Sequence, residues 1–127
     1  MLPVREAERL VLLNWRGAFI GKGWGSDNLM SHPFYRDLRD QTDVFEGVAS
    51  AAAPTIVNLG VDNGVETVGA EIVTGSYFKM LGVGTLAGRT IDESDDDQPG
   101  AHPVVMLSAD YWRTRLGAAP TSSAARC

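Results

Sequence analysis

Five acidic side chains, Asp92, Glu93, Asp95, Asp96 and Asp97, crowd into six positions, and clustered carboxylates are what a hard cation such as calcium needs. Framed from Asp95, the residues Asp95, Asp97 and Gly100 fall at the first, third and sixth positions of an EF-hand loop. The fifth is then Pro99, which offers no side-chain oxygen, and the twelfth is Met106, where a bidentate glutamate is required. The run therefore reads as a solvated charged loop, with weak calcium binding left open. Two glycine-rich stretches invite a phosphate-cradling reading. In Gly17–Lys22 the lysine comes one residue too early for a phosphate loop, and no Ser or Thr follows it. Gly82–Gly88 has one residue too many for a dinucleotide fingerprint and follows a helical pattern rather than a strand. His32 and His102 each precede a proline and lack the paired spacing of a zinc site. Ser31, Ser76 and Ser108 have no local base to make them nucleophiles, and each is accounted for as a helix cap. Tyr77, Phe78 and Trp112 could line a binding groove or pack into a core. No catalytic residue, cofactor-binding residue or metal ligand is assigned, and the expectation is a protein that is not an enzyme.

The elements around these residues follow from spacing. The run Leu10-Val11-Leu12-Leu13 within Glu8–Trp15 predicts a short buried strand. Four glycines between Gly17 and Asn28 predict a mobile loop. Ser31 caps a helix from Pro33 to about Gln41, with Phe34, Leu38 and then Phe45 as its apolar stripe. Asn63-Gly64 is a strong hairpin turn signal, which pairs Asp62 with Val65, Leu59 with Val68 and Val57 with Ala70. One face then carries Val57, Leu59, Val61, Val68, Ala70 and Ile72, with Glu66 as its polar member near the tip. Ser76 caps a helix over Tyr77–Leu81, which Gly82 stops, and Gly88 turns the chain between Leu86 and Thr90. Pro103–Leu107 predicts a buried strand, and Ser108 caps a last helix over Ala109–Leu116, stopped by Gly117. Residues 118–127 carry almost no large apolar side chain and read as a disordered or non-native tail.

The whole is a single α+β domain over residues 1–117, with a mixed or antiparallel sheet and two or three short packed helices. At 127 residues, about two-thirds of the unfolded chain's surface is expected to be buried. Net charge is −5, and residues 41–127 carry −6 of it, which repels phosphate backbones and argues against nucleic-acid binding. The apolar run at 10–13 is far short of the roughly 20 residues that a membrane span requires. A lone cysteine, Cys127, cannot form an internal disulfide.

The pieces Leu2-Pro3-Val4-Arg5, Ser31 to Phe45, and above all Val73-Thr74-Gly75-Ser76-Tyr77-Phe78 with Leu81-Gly82-Val83 and Gly88-Arg89-Thr90 form a pattern. It continues into Val104–Ser108 and Trp112-Arg113. Together, over about residues 2–117, they resemble the extracytoplasmic core domain of MacB-like (FtsX-type) ABC transporter permeases. Tyr77, Phe78, Leu81, Gly82, Gly88, Arg89, Ser108 and Trp112 are the signature positions. The resemblance implies a non-catalytic domain on the periplasmic side of the membrane that relays conformational change in transport or export. It implies as partners the rest of the permease and an ABC ATPase subunit or domain, admits a homodimer, and implies no cofactor. Family members continue past the equivalent of Gly117 into a strand-rich second part. The expectation is thus a truncated or frameshifted frame that holds the first part of the core domain. The rival reading is a free-standing soluble module that binds a ligand or a protein near the aromatic helices.

Overall fold

The computed structural model describes residues 4–14, 30–41, 43–61 and 64–118. Five regular elements run in the order α1 (His32–Gln41), β1 (Thr55–Val61), β2 (Gly64–Ala70), α2 (Tyr77–Leu81) and α3 (Ala109–Arg115). Single turns of 3₁₀-helix at Ala7–Arg9 and Glu93–Asp96 complete the set. This is a small α+β arrangement built on a two-stranded antiparallel sheet. The glycine-dense stretch between Gly17 and Asn28, the turn residues Asp62 and Asn63, and the tail from residue 119 lie outside the described residues.

Local signals place the helices. The Ser31 hydroxyl accepts a hydrogen bond from Phe34 N at 3.3 Å, satisfying one free amide at the start of α1. Ser108 does the same for α3 through Tyr111 N at 3.2 Å, with Asp110 near the positive end and Arg113 and Arg115 near the negative end. Helix α2 closes on Gly82 at φ 67°, where Gly82 N bonds Lys79 O and Val83 N bonds Phe78 O. That is the paired closure of a left-handed helix stop. A Cβ at Gly82 would lie 2.5 Å from Arg5 Cβ, so both conformation and space require glycine.

The hairpin keeps its expected faces but not its expected register. Val61 pairs with Gly64, Leu59 with Glu66, Val57 with Val68 and Thr55 with Ala70. Gly64 is therefore a strand residue rather than part of the turn expected at Asn63-Gly64. Gly64 enters the strand with φ 142°, a value that a residue with a Cβ rarely takes. The shift moves each partner by two residues, so alternation survives. Leu59, Val61, Glu66, Val68 and Ala70 are half-buried, whereas Ile56, Asn58, Gly60, Val65, Thr67 and Gly69 are exposed, and Val57, expected on the buried face, is 39% exposed toward the open end of the hairpin. Thr67 Oγ1 donates to Asn58 Oδ1 across the exposed face at 3.1 Å. Ile72 leaves the pattern and is 70% exposed, because β2 ends at Ala70 and pairing resumes at the isolated bridge Ala51↔Val73.

Two expected strands are corrected. Residues 10–14 pair with nothing in a sheet, and Leu12 is 75% exposed. Residues 103–107 likewise form no strand, with Val104 and Val105 exposed. A short apolar run carries the tendency to extend, but a strand exists only where a second strand meets its backbone groups. The stripe of α1 is also rotated from expectation. Phe34 is 50% exposed and Leu38 half-buried, while Tyr35 is the buried side chain of that helix at 4% exposure. Arg39 lies over the Tyr35 ring, 5.8 Å from its centre, and pairs with Asp40 at 2.7 Å.

Leu59→Asp would remove a half-buried apolar group and set a carboxylate opposite Glu66. We expect a loss of about 1–2 kcal/mol in urea unfolding of the dilute protein. Asn58→Asp keeps the oxygen that Thr67 donates to and should change stability by less than about 0.5 kcal/mol. Equal effects of the two would contradict the faces described.

Candidate functional site

The most enclosed chemistry is a short chain of hydroxyls between α1, the segment 48–52 and the start of α2. Ser76 Oγ donates to Val48 O at 2.7 Å, which spends its one hydrogen. The 3.0 Å contact between Tyr35 Oη and Ser76 Oγ must then be donated by the tyrosine. Ser76 is thus not the side-chain cap expected of it. Its backbone is helical, at φ −78° and ψ −9°, and its hydroxyl makes no capping bond. Beside it, Thr74 Oγ1 accepts from Ser50 N at 2.9 Å and donates to Ser50 O at 3.2 Å. Thr74 and Ser76 are both buried, and every buried side-chain polar atom among the described residues has a partner.

Gly75, between them, is buried because the backbone of Asp92 and Glu93 lies directly against it. A Cβ there would fall inside the contact shell of the Asp92 carbonyl oxygen. Gly75 N donates to Asp96 Oδ2 at 3.3 Å, and the acidic segment is thereby anchored to the hydroxyl chain. That segment is internally occupied. Asp92 Oδ1 accepts from Ser94 N, and Asp95 Oδ2 accepts from Asp92 N, both at 2.9 Å. This is a capping box on the 3₁₀ turn. Arg89 clamps Asp95 with two bonds of 2.6 and 2.7 Å. The guanidinium, followed by the Asp92 amide, holds the Asp95 carboxyl well below the usual carboxylate range. Among the described residues no group of three or more His, Cys, Asp or Glu converges on a metal-sized site.

An open groove of about 480 Å³ lies beside the hydroxyl chain, lined mainly by apolar atoms of Leu13, Leu38, Phe45, Ile72 and Met80. Tyr35, Thr74 and Asp96 contribute its polar rim, and His32 Nε2 stands 3.8 Å from Asp96 Oδ1. Tyr77, Phe78 and Trp112 do not line it. Tyr77 and Phe78 instead meet edge to face, 5.4 Å between ring centres.

The remaining signature positions hold turns and ends together. Leu81 O accepts from Arg5 N at 3.0 Å, tying the start of the chain to α2. Gly88 turns at φ 73°, and the Thr85 hydroxyl donates to its carbonyl. Arg89 also donates to Thr90 O at 2.9 Å. In α3, Ser108 O accepts from Trp112 N and Trp112 O accepts from Ala118 N, each at 3.0 Å. Glu66, the polar residue on the hairpin's apolar face, accepts from Tyr111 Oη at 2.9 Å and pairs with Arg115 at 2.8 Å. Partial burial and that carboxylate push the Tyr111 hydroxyl up. Tyr35, Thr74 and Ser50 carried no sequence signal for their contacts, because each meets a partner more than twenty positions away. Among the described residues no helix is long and apolar enough to cross a membrane. Comparison with known proteins returns no matching family model, curated protein or solved structure.

Ser76→Ala leaves Val48 O and the Tyr35 hydroxyl without their partner and should cost about 1–3 kcal/mol in urea unfolding. Tyr35→Phe should cost about 0.5–1.5 kcal/mol, and the double variant less than the sum of the two. Additive losses would show the two hydroxyls to be uncoupled. Asp95 titrates lower folded than unfolded, so its contribution is present above the unfolded value near about 4 and fades as pH falls below it. Asp95→Asn should therefore flatten the acid limb of the stability–pH curve measured by urea midpoints. An unchanged limb would mean that the Arg89 clamp does not persist in solution.

Proposed function

We propose that this chain is the extracytoplasmic core domain, or part of it, of a MacB-like (FtsX-type) ABC transporter permease. In this reading it is non-catalytic and relays conformational change between the permease, its ATPase and whatever is transported or exported on that side. The observation that carries the reading is the distribution of apolar surface. Among the described residues Tyr35 is the one buried hydrophobic side chain, while Ile56, Val65, Ile72, Val104 and Val105 face outward. A domain that works by transmitting motion needs surfaces completed by other parts of its protein, and large apolar side chains left exposed agree with such surfaces. The occupied hydroxyls of Ser76 and Ser108 and the clamped carboxylate of Asp95 agree with residues that hold a scaffold. The signature from Tyr77 to Trp112 suggests the family name; within it Gly82 and Gly88 hold turns, Ser108 caps α3, and Arg89 clamps Asp95.

The open apolar groove beside Tyr35 favours a second reading, a module that binds an apolar ligand or peptide. The DNA flanking the coding region decides between them. A permease domain is expected to be accompanied by segments of about 20 apolar residues in the same frame and by a neighbouring ATPase with a phosphate-binding loop. Flanks that encode neither would overturn the proposal.

A further inference from the structure

Among the described residues nothing covers the outer edge of β1, which presents a row of hydrogen-bonding groups. In a hairpin closed by a two-residue loop the closing pair, here Val61↔Gly64, is of the hydrogen-bonded kind, and the two kinds alternate from there. Leu59, Val57 and Thr55 therefore turn their N–H and C=O groups toward β2. Gly60, Asn58 and Ile56 turn theirs outward. Among the described residues no backbone bond beyond the hairpin involves these three, and all three are exposed, Ile56 at 75%. Proteins protect such an edge with a charge, a proline, a bulge or a covering element. The strand Thr-Ile-Val-Asn-Leu-Gly-Val has neither a charge nor a proline, and its seven pairs run without a bulge. Strand β2 differs in carrying a charge, Glu66, which Tyr111 and Arg115 of α3 engage on the half-buried face.

We propose that β1 pairs with β1 of a second copy of this chain, antiparallel and about a twofold axis through Asn58, to make a four-stranded sheet. The register follows from overlap and parity. With Asn58 opposite itself, all seven residues overlap, from Thr55 opposite Val61 to Val61 opposite Thr55. Asn58 and the Ile56–Gly60 pairs then fall at the positions whose backbone groups point outward, which gives about six new hydrogen bonds. Val57, 39% exposed in the single copy, meets half-buried Leu59 of the second copy, so the same faces of both hairpins form one continuous surface. A net charge of −5 on each copy opposes association, but none of that charge sits on β1. A two-stranded hairpin is marginal alone, and four strands with a shared apolar face are not. The pairing uses the described fold alone and does not rest on the permease reading.

The twofold axis makes the test specific, because a charge at position 58 meets its own copy. Sedimentation velocity of the full chain over a wide concentration range should show a monomer–dimer equilibrium. Asn58→Lys and Asn58→Glu should each weaken it at least about tenfold, since like charges stand directly opposite. An equimolar mixture of the two variants should associate to within about threefold of the parent. In the parent chain, hydrogen exchange at the Ile56, Asn58 and Gly60 amides should slow as concentration rises, a readout that needs no variant. A parent chain that stays monomeric overturns the proposal. So does a dimer that Asn58→Lys leaves intact, a mixture that remains monomeric, or exchange at the three amides that is independent of concentration.

Discussion

The described structure hangs on one buried joint, the hydroxyl relay from Tyr35 through Ser76 to the Val48 carbonyl. Helix α1, the segment before β1 and helix α2 meet there, and among the described residues Tyr35 is the one buried hydrophobic side chain. In such a place each hydroxyl and carbonyl has left water, so a missing partner costs the full desolvation of the group left behind. The satisfied relay therefore fixes the relative placement of three segments more by the penalty for breaking it than by the strength of any one bond. Thr74 and Ser50 extend the joint by one step and hold the bridge between Ala51 and Val73. Gly75 extends it on the other side by letting the backbone of Asp92 and Glu93 come into contact.

A joint of this kind has a consequence for the surface. Elements held by hydrogen bonds do not need to turn their large apolar residues inward, and here many do not. The hairpin shows it most plainly. Its better face is half-buried, its other face carries Ile56 and Val65 into solvent, and its free edge has no charged or proline guard. Such surfaces invite contact with more polypeptide. The proposed role in transmitting motion and the proposed pairing of β1 with its copy would be separate uses of that same property.

Legibility in the sequence followed the range of the interactions. The caps at Ser31 and Ser108, the stop at Gly82, the turn at Gly88 and the two faces of the hairpin could all be read, because each rests on groups a few positions apart. The hairpin register was missed by one turn position, since two adjacent dipeptides, Asp62-Asn63 and Asn63-Gly64, both consist of residues tolerant of left-handed backbone. Serine before a helix usually makes a local cap, which is the expectation for Ser76. Its hydroxyl found a better partner in a carbonyl twenty-eight residues away. The acidic run looked like a solvated loop, and nothing local announced that Arg89 would clamp Asp95 or that Gly75 would dock on Asp96.

The sequence by itself determined where helices begin and end and which residues of the hairpin share a face, because backbone sterics and capping act within one turn of chain. Tertiary structure alone decided that residues 10–14 and 103–107 would not become strands, since a strand requires a partner and theirs did not come to them. It also decided that Tyr35 rather than Phe34 would be the buried residue of α1. The Tyr35 hydroxyl is satisfied by Ser76, so its burial strands no polar group, and with the helix facing that way Phe34, one position earlier, is turned outward.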